Sequence, residues 1–305
     1  MSDRAIVLEG IGKAFSGHVA VKDLSLEVPR GSVFGLLGPN GAGKTTTLRM
    51  VMDVLAPDTG TIEILGRPAD DAARDRVGYM PEERGLYPRM VLEEQLVFMA
   101  AIKGMGRREA LKRLGPWLDR LSLSEWRKKK VNELSKGMQQ KAQFVATVLH
   151  EPEVLIMDEP TSGLDPVAMD VMRDAMLDLR RGGTTIVLSS HQMEAVERLC
   201  DRVVLIDHGE KVLDGAVSEV KARHGRNTVA LAFDGDGSFI ESLPGVARAS
   251  DHGQYVEVRL EDGADPQVLL REAAARLRVR RFEIVEPSLH DIFVETVTQH
   301  GKEAA

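Results

Sequence analysis

Residues 38 to 45 read Gly-Pro-Asn-Gly-Ala-Gly-Lys-Thr, directly behind the apolar run Ser32-Val33-Phe34-Gly35-Leu36-Leu37 and ahead of a helix-compatible stretch from Thr46 to Leu55. Strand, glycine-rich turn and helix in that order make a phosphate-binding loop, the opening unit of a P-loop α/β fold. Gly38, Gly41 and Gly43 allow the backbone to curl, so that successive N–H groups converge on phosphate oxygens at a helix N-terminus. Lys44 supplies a point charge to the β- and γ-phosphates, and Thr45 a hydroxyl for Mg²⁺. Pro39, Asn40, Ala42 and Thr46 complete the stretch expected to line the phosphates.

The rest of the chain sets limits on what such a loop serves. A length of 305 residues suits one large domain with a small one attached. The net charge of −7 argues against a generally basic surface for nucleic acid, and none is expected as a partner. The single cysteine, Cys200, cannot form an intrachain disulfide, and the opening MSDRAIVLEG lacks the apolar core of a secretory signal; both place the chain in the cytosol. Apolar runs such as Leu96 to Ile102 fall short of the roughly 18 to 20 residues of a membrane span, so any work at a membrane requires a second, spanning polypeptide.

Strand-like runs at Ala5 to Glu9 and Leu24 to Val28 flank a turn at Ser16-Gly17, and a third, Thr61 to Leu65, ends in Gly66-Arg67-Pro68. They predict a small antiparallel sheet beside the P-loop strand. From about 91 to 150 the apolar residues recur at helical spacing, as in Leu92, Leu96 and Met99 or Ala110, Leu114 and Leu118, which predicts a helical insert. Buried-type strands resume at Val154 to Met157, Thr185 to Ser189 and Arg202 to Asp207. Residues 1–222 are thus expected to form a P-loop NTPase core with an antiparallel β subdomain and a helical insert, and residues 223–305 a small α+β domain. The four cations Arg127 to Lys130 read as a solvated turn.

The run Val154 to Met157 ends in Asp158-Glu159, two adjacent carboxylates at the mouth of a buried strand. Such a pair is costly unless a cation or water is held there. Asp158 suits Mg²⁺ and its waters, which leaves Glu159 to polarise an attacking water as general base. Upstream, Ser135 is placed to cap the helical stretch that follows Leu134-Ser135-Lys136-Gly137-Met138-Gln139-Gln140.

That segment resembles the LSGGQ signature of the ATP-binding cassette ATPases, in the family's order between P-loop and carboxylate pair. The resemblance runs from residue 4 to about 220. It implies ATP with Mg²⁺, a D-loop at Pro160 to Asp165, a switch histidine at His191 and an adenine-stacking aromatic at Phe15. It also implies a Q-loop with Glu82 where the family has Gln, a carboxylate that would accept from a Mg²⁺-bound water while adding negative charge near the triphosphate. Lys136 and Met138 depart from the signature, leaving Ser135, Gly137 and backbone amides as the expected donors and close-approach points. The resemblance further implies a head-to-tail homodimer, each signature end facing the other copy's γ-phosphate, and with one P-loop and one signature per chain two nucleotide domains are needed.

Glu82 to Pro88 and the tail Glu286 to Phe293 resemble an exporter branch, whose ATPase subunits pair with separate permeases and so sit peripherally on the inner face of the membrane. The expected function is therefore ATP hydrolysis that energises export. The alternative is a family ATPase acting as a nucleic-acid or ribosome clamp, although such relatives usually carry two cassettes or a long insert. A GTP switch would need an [NT]-K-x-D motif, which the sequence lacks.

Overall fold

The computed structural model describes residues 3–224, 228–261, 263–285 and 287–303. Glu286, used above for the tail motif, lies outside the described residues, as do 225–227 just after the expected boundary. The chain divides into two units, 1–216 and 217–305.

The first unit opens with β1 (Arg4–Phe15) and β2 (His18–Pro29), joined through Ser16-Gly17. Gly17 sits at φ +81°, the left-handed conformation that glycine adopts without strain. Next come β3 (Val33–Leu37), α1 (Lys44–Val51), β4 (Thr59–Ile64), β5 (Arg67–Pro68), α2 (Asp71–Arg74) and β6 (Val77–Met80). The helical insert holds α3 (Leu92–Ile102), α4 (Arg107–Arg120) and α5 (Lys136–Val148). The unit closes with β7 (Val154–Asp158), α6 (Pro166–Arg181), β8 (Thr185–Ser190), α7 (Met193–Leu199), β9 (Arg202–Asp207) and β10 (Glu210–Ala216).

An antiparallel sheet runs β2-β1-β4-β5, and a second sheet runs β10-β9-β3-β8-β7-β6. In the second, β9 through β6 are parallel and β10 is an antiparallel edge. Every residue of β3, β7 and β8 is buried, as expected of parallel strands covered on both faces. β8 lies between β3 and β7, with Leu37 opposite Ser190 and Asp158 opposite Ser189. That order brings the ends of the P-loop strand and the carboxylate strand to either side of one strand, at the edge where α/β sheets hold ligands.

Two local features differ from the sequence reading. Val77 to Met80 forms a strand, β6, that its four residues and glycine do not announce. Gly78 is needed because a Cβ there would lie 2.6 Å from the Thr147 carbonyl oxygen. The cationic run is not wholly a solvated turn: Arg127 and Lys128 both pair with Glu93, which is buried in α3. These two cations hold the Glu93 carboxyl below its ordinary pKa, the Lys128 hydrogen bond being the largest cause.

The second unit holds α8 (Val217–His224), β11 (Thr228–Asp234), β12 (Val246–Asp251), β13 (Val256–Leu260), α9 (Pro266–Arg276), β14 (Arg278–Val285) and α10 (Leu289–Glu303). Its antiparallel sheet, β12-β13-β11-β14, covers a core of its own that includes Val229, Leu231, Val258, Leu269 and Leu277. The unit begins at Val217, ahead of the expected 223, because α8 packs with α10. In the tail motif, the Ser288 hydroxyl accepts from the Asp291 amide at 3.2 Å and starts α10. Arg259 pairs with Glu295 and fastens that helix to β13.

Candidate functional site

The glycines of residues 38–45 are demanded by space as well as by conformation. A Cβ on Gly38 would lie 2.2 Å from the Ile206 carbonyl oxygen, and one on Gly43, at φ +107°, would lie 2.4 Å from that of Ala20. Gly41, at φ +82°, faces open space. Lys44 is buried and folds back over the loop, its Nζ donating to the carbonyls of Gly38 at 2.7 Å and Pro39 at 3.0 Å. The N-cap of α1 is Gly43, so no side chain closes that helix end, and its first amides stay open to an anion.

Across β8 stand the carboxylates. Asp158 is 1 % exposed; one of its oxygens accepts from the Ser189 hydroxyl at 2.5 Å, and its other, Oδ2, is buried with no hydrogen-bond partner among the described residues. A buried, unshared carboxylate oxygen fits a cation. Glu159 adopts φ +50°, an uncommon conformation for a side chain of its kind, held by its amide donating to Ser189 Oγ at 3.0 Å. Its Oε1 lies 2.8 Å from Nδ1 of His191, hydrogen-bond distance with the imidazole as donor.

Burial lowers the Lys44 pKa, and the charges of Glu159, Asp158 and Glu82 pull it back up. All three carboxylates therefore act on the lysine of the phosphate loop. Glu82 follows β6, one strand beyond β7. The other expected residues are more spread out. Ser135 caps α5, its hydroxyl accepting from the Met138 amide at 3.2 Å, and Gly137 stands beside Leu164. Asp165 caps α6 through the Ala168 amide at 2.9 Å. Phe15 is 46 % exposed at the end of β1, with Lys13 Nζ 5.9 Å from its ring centre.

A family model described as ABC transporter matches residues 21–162, the stretch carrying the phosphate loop, the Ser135 segment and the carboxylate pair. An uncharacterized ABC transporter ATP-binding protein of Bacillus subtilis, YhaQ, is 42 % identical over 96 % of this chain and 98 % of its own length. The chain belongs to the ABC transporter ATP-binding proteins. A second model, the C-terminal domain of DrrA1-3-like ATP-binding proteins, matches residues 215–297 and so covers most of the second unit. The Nod factor export ATP-binding protein I of a Rhizobium species is 34 % identical over 96 % of this chain and 97 % of its own. Among solved structures, an ATP-binding subunit of an ABC transporter superposes with a TM-score of 0.68 at 31 % identity, covering 72 % of this chain and 93 % of that one. Members of the family bind ATP, typically with Mg²⁺.

Three residues of this ABC site escape a sequence reading. Ser189 holds both Asp158 and the Glu159 amide, and the two serines ending TTIVLSS were its signal. Gln140 and Gln143 lie on the buried face of the signature helix, 2 % and 5 % exposed. Nothing in their local pattern distinguishes them from Gln139, which is half-buried on the same helix and donates to the Val131 and Leu134 carbonyls.

Proposed function

We propose that this chain hydrolyses ATP with Mg²⁺ at the carboxyl edge of its parallel sheet and, as a homodimer, energises export through a separate permease. The contact of His191 Nδ1 with Glu159 Oε1 at 2.8 Å carries the reading, because it orients a buried carboxylate in the manner of a general base. The amides of residues 38–45, with Lys44, bind the phosphates; Thr46 closes that stretch, and Phe15 offers a ring for the adenine. Thr45, Asp158 and Glu82 are the residues that would hold Mg²⁺. Held there, Mg²⁺ would supply charge neutralisation at the phosphates. Glu159 takes the proton of the attacking water, and His191 keeps its carboxylate aimed. Ser135 and Gly137 of a second copy complete the site, with Asp165 shaping the loop between them and Glu159.

Tyr87, Pro88, Met90 and Phe98 form an exposed apolar patch beside the Glu82 segment, with the two rings edge to face at 6.2 Å. Tyr87 is 55 % exposed and Phe98 42 %, so large rings stand uncovered by any described residue. The Tyr87 backbone is held by buried Gln95, whose Oε1 accepts from its amide at 2.8 Å. A membrane subunit is the occupant this reading assigns to it. No helix among the described residues is long and apolar enough to cross a membrane, so the chain would act peripherally on the inner face of the cell membrane. Export is supported by likeness to a protein named for Nod factor export.

The deciding experiment replaces Glu159 by Gln in the purified chain and follows Mg²⁺-dependent ATP hydrolysis. Turnover should fall about 10²- to 10⁴-fold, the range for a lost general base, while ATP binding persists. Turnover close to that of the parent removes Glu159 from the role. An ATP-dependent, salt-sensitive RNA or DNA complex would instead favour a nucleic-acid clamp.

A further inference from the structure

One face of α5 reaches both flanks of the carboxylate cluster. Gln143 Nε2 donates to the Pro81 carbonyl at 2.8 Å and to that of Glu83 at 3.2 Å, the two carbonyls on either side of Glu82. One turn earlier, Gln140 Nε2 donates at 3.0 Å to the carbonyl of Pro160, the residue after Glu159. The two glutamines are three positions apart and so share a helix face. Both side chains are more than nine-tenths buried, and a buried amide is costly unless its hydrogen bonds are needed. Oε1 of Gln143 has no hydrogen-bond partner among the described residues, so the donor side of that amide accounts for its hydrogen bonding there.

We propose that Gln143 and Gln140 are positioning residues: the first aims Glu82, the second braces the backbone behind Glu159, and together they tie both carboxylates to the signature helix. The helix begins at Lys136, capped by Ser135. A tilt imposed at that end by a second copy would be carried by these three hydrogen bonds to the segments bearing Glu82 and Glu159. Gln143 acts on Glu82 and hence on the binding of Mg²⁺; Gln140 acts on Glu159 and hence on turnover. The segment after Glu82 adds a link, since the Arg84 guanidinium lies 3.9 Å from where a Cβ on Gly163 would stand, in the loop between Glu159 and Asp165.

This inference rests on the ATP-hydrolysis reading, and the test separates the two. Methionine matches glutamine in length and lacks the donor, so Gln143→Met and Gln140→Met keep the packing and remove the hydrogen bonds. Hydrolysis by the purified full chain is measured against ATP and against Mg²⁺ concentration, with Tm as a check on folding. Gln143→Met should raise the Mg²⁺ half-saturation about tenfold and leave the KM for ATP within about twofold; Gln140→Met should lower kcat about tenfold with Mg²⁺ half-saturation unchanged. Parent-like turnover and Mg²⁺ dependence in both variants overturn the proposal. Loss of fold in Gln143→Met alongside parent turnover in Gln140→Met also overturns it, because the amides would then serve stability alone. A parent chain without turnover sinks the hydrolysis reading and this one with it.

Discussion

The N-termini of α1 and α5 face the same chemistry in opposite states. At α1 the cap is a left-handed glycine with no side chain, Gly43, and the first amides are open. At α5 the cap is Ser135, whose hydroxyl is already occupied by the Met138 amide. A helix end carries about half a positive charge in either case, and the capping group decides whether an anion meets it directly. The α1 end is thus left uncapped within one chain, as the proposed phosphate site requires. The Ser135 end is closed by its own helix, and on the proposed reading it meets a phosphate only when another copy brings one.

The sharpest way to break this contrast is to close the open end. Gly43→Ala places a Cβ 2.4 Å from the Ala20 carbonyl oxygen at φ +107°, where alanine is strained. ATP binding measured by calorimetry should vanish, and binding at the parent level would show that the loop does not need this conformation.

A smaller effect tests the far end of α5, where the helix meets His150. Burial, followed by the nearby Lys103 charge, pushes the His150 pKa down to about 4, overriding the preference of a helix C-terminus for a cation. The unfolded chain takes up this proton near pH 6.5 and the folded chain does not, so stability is whole above about 6.5 and is lost as pH falls toward 4. His150→Gln should flatten this part of the Tm-against-pH curve, and a variant curve parallel to the parent's would contradict the assignment.

The smallest expected effect is at the closed end. Ser135→Ala removes an N-cap, a loss of about 1 kcal/mol that lowers Tm by roughly 2 to 4 °C for a unit this size. Binding of ATP to the single chain should not change. A weakened affinity for ATP at low protein concentration would mean that Ser135 acts within its own chain, against the contrast drawn here.

Much of this was legible along the chain, and the reason is local. The phosphate loop needs its strand, glycines and helix to be consecutive, and Asp158-Glu159 sits at the end of a continuous apolar run. β12 was not legible because Val246-Ala247-Arg248-Ala249-Ser250-Asp251 is largely exposed or half-buried and lacks a clear period of two. Gln143 was not legible because its partners lie 60 and 62 positions away, and helical spacing cannot say what a face will meet.

The amino-acid sequence by itself determined the presence of a phosphate loop, a metal-suited carboxylate and a candidate base, since each is a short run whose conformation follows from neighbours. Tertiary structure alone decided that β8 lies between β3 and β7, that Ser189 takes one oxygen of Asp158 and leaves the other without a partner among the described residues, and that His191 meets Glu159. Those outcomes depend on the order in which strands cross over and pair, a competition among distant segments that no local pattern encodes.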